Sequence, residues 1–263
     1  EHPEKRAHWI GLFRTHFDSL EQQAIAEASA RGESAEAVKP KLAVVRELFM
    51  TYLDQIEANP TVFGTLYIIQ ICFAREKALR EAGIADPYRL AKAKENEAAL
   101  KLLPALFEEL DSLPDPEKAQ QVMRGTFAGN IYDLGATKTV ELFKDGKPVD
   151  FHDVRNKLAP RPWLVDGLDA WSEKITSEKP YTAAAVFVDN AGCDVILGMI
   201  PFVRDLLQRD VKVVLTSNSY PALNDITHSE LVPIINGIAQ WDKTISNALD
   251  DNNLRIAPSG NGG

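Results

Sequence analysis

Val186-Phe187-Val188-Asp189-Asn190-Ala191-Gly192 is the stretch on which the reading of this chain turns. With Ala183-Ala184-Ala185 ahead of it, the apolar run up to Val188 reads as a short buried β-strand. Val195 to Leu207 follows, apolar enough and long enough for a helix, and Val211-Lys212-Val213-Val214-Leu215 makes a second strand. That strand ends in Thr216-Ser217-Asn218-Ser219, with Pro221-Ala222-Leu223-Asn224-Asp225 beyond it. Strand, helix and strand of these lengths form a βαβ unit, whose parallel strands deliver their C-terminal ends side by side. Open α/β sheets bind ligands at that edge. Asp189 and Asn190 are therefore expected to meet Asn218, Asn224 and Asp225.

Carboxylate and amide oxygens with room for water suit a hard cation such as Mg²⁺ or Mn²⁺, and no thiolate or imidazole cluster here suggests zinc. Asp and Asn after a strand are equally at home as turn formers and helix N-caps. The residues alone leave both readings open.

Phe187-Val188-Asp189-Asn190-Ala191-Gly192-Cys193-Asp194 and the run from Ser217 to Glu230 resemble the DUF89 family of metal-dependent damage-control phosphatases. Within it, the plant phosphatases and the C-terminal domain of the pantothenate kinase 4 type are most similar. Asp86-Pro87-Tyr88, Lys94-Glu95-Asn96 and Gly129-Asn130-Ile131-Tyr132-Asp133-Leu134-Gly135 resemble the same subfamily, in order along nearly the whole chain. The resemblance implies one divalent ion (manganese, cobalt, nickel or magnesium) held by Asp189, Asn190 and Asp225. It implies hydrolysis of phosphate monoesters, with 4′-phosphopantetheine and its damaged forms as the substrate class, and so a place in coenzyme A metabolism. Sugar phosphates are the alternative within the wider family. Asp189 and Asp225, with Asp133, are the catalytic candidates, and Asp133 or Asp194 would take a proton from water. Asn130, Ser217, Asn218 and Asn224, with backbone amides at a helix start near Asn224, are the candidate phosphate contacts.

Competing classes fare less well. A phosphatase of the haloacid dehalogenase type needs Asp-x-Asp at the strand end, where this chain has Asp189-Asn190-Ala191. A nucleotide-binding enzyme wants a glycine fingerprint or a Walker lysine loop, and neither occurs. A non-catalytic regulatory domain that keeps the fold is the runner-up. The subfamily's Glu-Gly-Met-Gly-Arg motif is absent from these 263 residues, and the first residue is not Met. The expectation is a fragment of a longer polypeptide; the resemblance leaves open whether a pantothenate kinase domain is part of it.

The net charge of −9 argues against nucleic acid or an anionic membrane as partner. A bound cation would reconcile that acidity with a phosphate ester as substrate. Two cysteines cannot build a disulfide framework, the N-terminus does not resemble a signal peptide, and no apolar run could span a bilayer. A cytoplasmic protein is expected.

The expected fold class is α/β: a helical part over residues 1–180 and a Rossmann-like parallel sheet with flanking helices over 181–263, carrying the metal site. Helical spacing marks His8 to Leu20 and Leu42 to Ile56. Leu66 to Phe73, apolar nearly all round, is expected in the central helix of the bundle. Asp86-Pro87 should start another helix, with Lys92, Lys94, Glu95 and Asn96 on a solvated face. Glu117 to Phe127 reads as helix, and Ala128 to Ala136 as a loop presenting Asn130 and Asp133. Val140 to Asp153 reads as strand-like, with Asp145-Gly146 as a hairpin turn. Leu164 to Ile175, Leu231 to Ile238 and Trp241 to Leu249 are further helices, and Leu254 opens a third strand. Arg161, between two prolines, is a weak candidate for a phosphate contact.

Overall fold

The computed structural model describes residues 2–131, 151–177 and 180–261. Contacts gather these into two units, one of residues up to 92 with 220–224, the other of 93–219 with 225–261.

The first unit is helical. Helices α1 (Pro3–Ala30) and α2 (Ala35–Ala58) face each other along apolar stripes at three- and four-residue spacing. Ile10, Phe13, Phe17 and Leu20 meet Val45, Phe49 and Leu53 in one core cluster, where the Phe17 and Phe49 rings stack at 5.9 Å. Ser34 starts α2 by accepting a hydrogen bond from the Ala37 amide. Helix α3 (Ile68–Glu81) is not the central helix expected from Leu66–Phe73. Ile68, Ile69 and Phe73 are each about two-fifths exposed, and the inner face at i, i+4 and i+8 is Ile71, Arg75 and Leu79. An apolar run longer than one turn must place part of itself outward, and here that part meets solvent.

Helix α4 (Arg89–Asp111) begins two residues after Pro87, and its first residues are counted with the first unit. The expected solvated face is wrong at two of its four positions. Lys92 is fully buried and its ammonium pairs with Asp86 at 2.9 Å, while Asn96 is 7 % exposed. Their i, i+4 spacing puts both on the inward side of the helix.

The second unit holds the sheet. Strands β1 (Ala183–Phe187), β2 (Lys212–Ser217) and β3 (Leu254–Pro258) are parallel in the order β1-β2-β3. Val186 aligns with Leu215, and Leu215 with Ile256. Between β1 and β2 the chain forms π-helical turns (Asp194–Met199) that pass into α8 (Ile200–Gln208). Between β2 and β3 lie α9 (His228–Ala239) and α10 (Lys243–Asp250). Both crossovers advance in the same direction, so right-handed connections put α8, α9 and α10 on one face of the sheet. Val186, Val213, Leu215 and Leu254 are buried on that side. On the other, Ala185, Val214 and Phe187 are exposed, Phe187 by 70 %. The α/β class and the third strand are as expected.

Helices α5 (Asp115–Ile131), α6 (Phe151–Lys157) and α7 (Leu168–Thr176) complete this unit. Three expectations change here. Gly129-Asn130 continues helix α5 instead of opening a loop, because the glycine is there for a close approach and not for a break. Phe151 to Asp153 is helical, since Phe151 and Val154 bury one face of α6; residues 140–150, with the expected hairpin, lie outside the described residues. Helix α7 starts at Leu168 and not at Leu164, and Leu164 and Val165 are exposed.

Candidate functional site

Strand β1 is extended by one further bond, the Val188 amide donating to the Thr216 carbonyl at 2.9 Å. The chain then turns. Asn190 and Asp225 form an isolated antiparallel bridge, and the Ile226 amide donates to the Asp189 carbonyl at 2.6 Å. A parallel bridge joins Asn218 to Thr227, and the His228 amide donates to the Asn218 carbonyl at 2.7 Å. Asp189, Asn190, Asn218 and Asp225 are thereby brought together at the C-terminal edge of the sheet. Thr227 then starts α9 with a capping box, its hydroxyl and amide both bonded to the Glu230 carboxylate.

Side chains tie this cluster together. Asn190 Nδ2 donates to Asp194 Oδ2 at 3.0 Å, and Asn218 Nδ2 donates to Asp225 Oδ2 at 2.8 Å. The donor end of the Asn190 amide is thus committed to Asp194. An ionised carboxylate offers about four lone-pair sites, so Asp225 can accept from more than one partner. Asp189 is exposed, Asp225 half-buried, and Asn190 and Asp194 buried. Such a set, oxygen donors only and partly open to water, fits Mg²⁺ or Mn²⁺. Among the described residues no group of three or more His, Cys, Asp and Glu side chains stands ready to hold a metal. Here part of the donor set is amide. Two buried polar atoms of the segments that form the cluster, Ser217 Oγ and His228 Nδ1, have no hydrogen-bond partner among the described residues. Leaving such atoms unpaired is costly, and a ligand or water at this edge would satisfy them.

The turn between Asn190 and Asp194 is gripped from two helices. Gly192 has φ +76°, and a Cβ there would stand 3.0 Å from Glu95 Cβ and 3.3 Å from Glu95 Oε2. The Gly192 amide donates to Asn96 Oδ1 at 2.7 Å. On the other side, a Cβ on Gly129 of α5 would lie 2.8 Å from Asp194 Cα and 2.9 Å from the Cys193 carbonyl oxygen. Backbone cannot yield as a side-chain tip can. Gly129→Ala is expected to destabilise the protein by about 1–3 kcal/mol, as overpacking does, and to loosen the Asn190–Asp194 bond. The shift of the urea midpoint measures the first, and the amide resonances of residues 190–194 report the second. Asp194 opens π-helical turns, which are uncommon and frequent at functional sites.

Not every expected residue joins the cluster. Asn130 is exposed in the last turn of α5, beside Gly129. Asp133 lies outside the described residues. Asn224 precedes Asp225, but no helix begins there; α9 starts at His228. Ser217 adjoins Asn218 at the end of β2. Arg161 is committed elsewhere, bonded to Asp166 at 2.7 and 2.8 Å and to Asp169 at 2.8 Å. Asn96, Gly129 and His228 were missed. The one sequence signal for these is the small pair Gly125 and Gly129 one helical turn apart; the burial of Lys92 and Asn96 carries none.

Residues 13–261 match the model of the damage-control phosphatase ARMT1-like domain. The chain is 35 % identical over 255 residues to a 4′-phosphopantetheine phosphatase of Mus musculus, an alignment covering 97 % of this chain and 30 % of that protein. It is 35 % identical over 256 residues to a damage-control phosphatase of Arabidopsis thaliana, covering 96 % of this chain and 67 % of that one. The crystal structure of a DUF89 family protein from Pyrococcus horikoshii superposes with a TM-score of 0.56 at 15 % identity, over 97 % of this chain and 73 % of that chain. That likeness is one of fold.

Proposed function

Since this chain belongs to the family of ARMT1-like damage-control phosphatases, we propose that it hydrolyses phosphate monoesters at the Asp189–Asn190–Asp225 cluster. The observation that carries the proposal is the pair of bridges that set Asn190 against Asp225 and Asn218 against Thr227. They assemble an oxygen-donor set from distant segments at the edge where α/β sheets bind ligands. Asp189, Asn190 and Asp225 would hold a divalent cation. Bound there, such an ion supplies charge neutralisation at a phosphoryl oxygen and makes a water more acidic.

The chain's own residues do the rest. Asn218 orients Asp225 through the 2.8 Å bond. Asp194, bonded to the amide of Asn190, fixes which end of that amide faces the ligand. Ser217 would donate its unpartnered hydroxyl to a phosphate oxygen or an ordered water. Asn130, at the end of α5, and Asn224 are proposed as outer contacts. The proton acceptor is Asp133 or Asp194. Substrates of the 4′-phosphopantetheine type are proposed from the mouse relative, and a pantothenate kinase domain on the same polypeptide from the motif resemblance. Among the described residues no helix is long and apolar enough to cross a membrane; a cytoplasmic setting is proposed.

The test is hydrolysis of 4′-phosphopantetheine, a sugar phosphate and p-nitrophenyl phosphate, with Mn²⁺, Co²⁺, Ni²⁺ or Mg²⁺ returned after chelation. Metal-dependent release of phosphate is expected, and the substrate ranking decides between pantetheine and sugar esters. No release from any ester with any of the four ions would overturn the proposal.

A further inference from the structure

We infer that Asn96 is a positioning residue for the candidate site: α4 sets the Asp189–Gly192 turn through one buried side-chain hydrogen bond. The inference rests on the reading of that turn as a metal-binding loop. Asn96 is 7 % exposed, and its Oδ1 accepts from the Gly192 amide at 2.7 Å. Gly192 is the residue at which the turn adopts positive φ, +76°. Its carbonyl accepts from the Ile196 amide at 3.0 Å, a four-residue turn that leads into the π-helical turns. Gly192 is therefore held on both sides, by α4 through its N–H and by the start of the following helical turns through its carbonyl. Glu95 closes the geometry from the same helix: a Cβ on residue 192 would stand 3.0 Å from the Glu95 Cβ, so the position favours a residue without one.

The consequence reaches the donors. Asn190 and Asp194 lie on either side of Gly192 and are joined to each other at 3.0 Å. A rotation of the Gly192 peptide would move both ends of that bond and re-aim the Asn190 oxygen. Outer residues that orient metal ligands in this manner typically matter by 10- to 100-fold in affinity. Asn96 never needs to touch the ion or the substrate to have that effect. Asp fits the position in shape and keeps an acceptor oxygen within reach of the Gly192 amide, while Ala and Ser do not reach.

The experiment compares wild type with Asn96→Ala, Asn96→Asp and a control on the same helix, Leu103→Ala. Leu103 is fully buried in the hydrophobic core cluster about two helical turns along α4 from Asn96, so its truncation destabilises the unit while leaving the Asn96–Gly192 bond in place. Two quantities are read: hydrogen exchange of the amides at 189–194, and the Mn²⁺ dissociation constant by calorimetry. Asn96→Ala should raise exchange at 189–194 beyond any change elsewhere in the unit and weaken Mn²⁺ binding by roughly 10-fold or more. Asn96→Asp should restore the protection, and Leu103→Ala should leave the Mn²⁺ constant within about threefold. Asn96→Ser, whose hydroxyl stops short of Gly192, replaces the alanine variant if that one does not fold. Wild-type-like exchange at 189–194 in the alanine or serine variant would overturn the inference. So would a loss of Mn²⁺ binding matched by Leu103→Ala. If the wild type binds no Mn²⁺, the metal reading fails by itself, and the exchange data still decide whether Asn96 holds the turn.

Discussion

Asp189→Ala is expected to lower metal-dependent phosphate release by at least roughly 10²–10³-fold, the scale of losing one preorganised charge-stabilising group, with the fold intact. The two halves of that expectation have separate causes. The contact by which Asp189 holds the structure is its carbonyl, which accepts from the Ile226 amide at 2.6 Å, and alanine keeps it. The side chain is exposed, so its removal should change stability by no more than about 0.5 kcal/mol. What goes is a carboxylate at the one edge where Asn190 and Asp225 also gather. Asp225→Ala should be similarly inactive yet less stable, since it also removes the acceptor of Asn218. Turnover with titrated Mn²⁺, beside thermal melting, distinguishes them. An Asp189→Ala protein that turns over like the wild type would remove the site from where we place it.

Arg204→Ala is expected to cost about 3–5 kcal/mol of stability, the range for breaking a buried ion pair from one side. Arg204 is nearly buried on α8. Its Nε donates to Asp242 at 2.8 Å, and Nη1 and Nη2 donate to the two Asp111 oxygens at 2.8 and 2.7 Å. The guanidinium lies 4.4 Å from the centre of the Phe107 ring. Alanine would strand Asp242, which is 7 % exposed and also caps α10 by accepting from the Ile245 amide. The network joins α4 to α8 and the start of α10, and α8 and α10 pack on the sheet. Urea denaturation followed by Trp241 fluorescence reads it, and a midpoint like the wild type's would show the pairs contribute little. The same network predicts acid sensitivity. Arg204, then Lys118 and Gln208, hold the Asp111 carboxyl well below the usual carboxylate range despite partial burial. A carboxylate with a depressed folded pKa contributes stability above its unfolded value, near pH 4, and loses it as pH falls toward the folded value. Stability should therefore decline from about pH 4 downward, less steeply in Arg204→Ala than in the wild type.

Much of this was readable without coordinates wherever local chemistry suffices. Alternation and apolar runs marked β1, β2 and β3, because a strand buried against helices must be apolar whatever its neighbours are. The polar clusters at Asp189-Asn190 and Asn218 to Asp225 could be assigned to one sheet edge, because handedness and strand direction restrict a βαβ unit to essentially one arrangement. Helix α3 shows the opposite case. Leu66 to Phe73 is apolar on every side, and nothing within it says which side meets a neighbour. Burial of a long apolar run depends on what packs against it, and of Leu66 to Phe73 only Ile71 is fully buried among the described residues.

Residue type and order, by themselves, determined that this is an α/β protein, that its carboxylates and amides gather where parallel strands end, and which family it belongs to. Tertiary structure alone decided the rest. Gly129-Asn130 looks like a helix stop in sequence, but it is a contact surface, since the missing Cβ is what lets α5 approach Asp194 at 2.8 Å from where that atom would stand. Lys92 and Asn96 look like a solvated helix face, but they are buried, one paired with Asp86 and the other holding Gly192. Glycine is ambiguous between freedom and closeness, and a buried polar side chain looks like an exposed one until its partner is known. Both ambiguities concern atoms distant in sequence, and only the packed chain brings those atoms together.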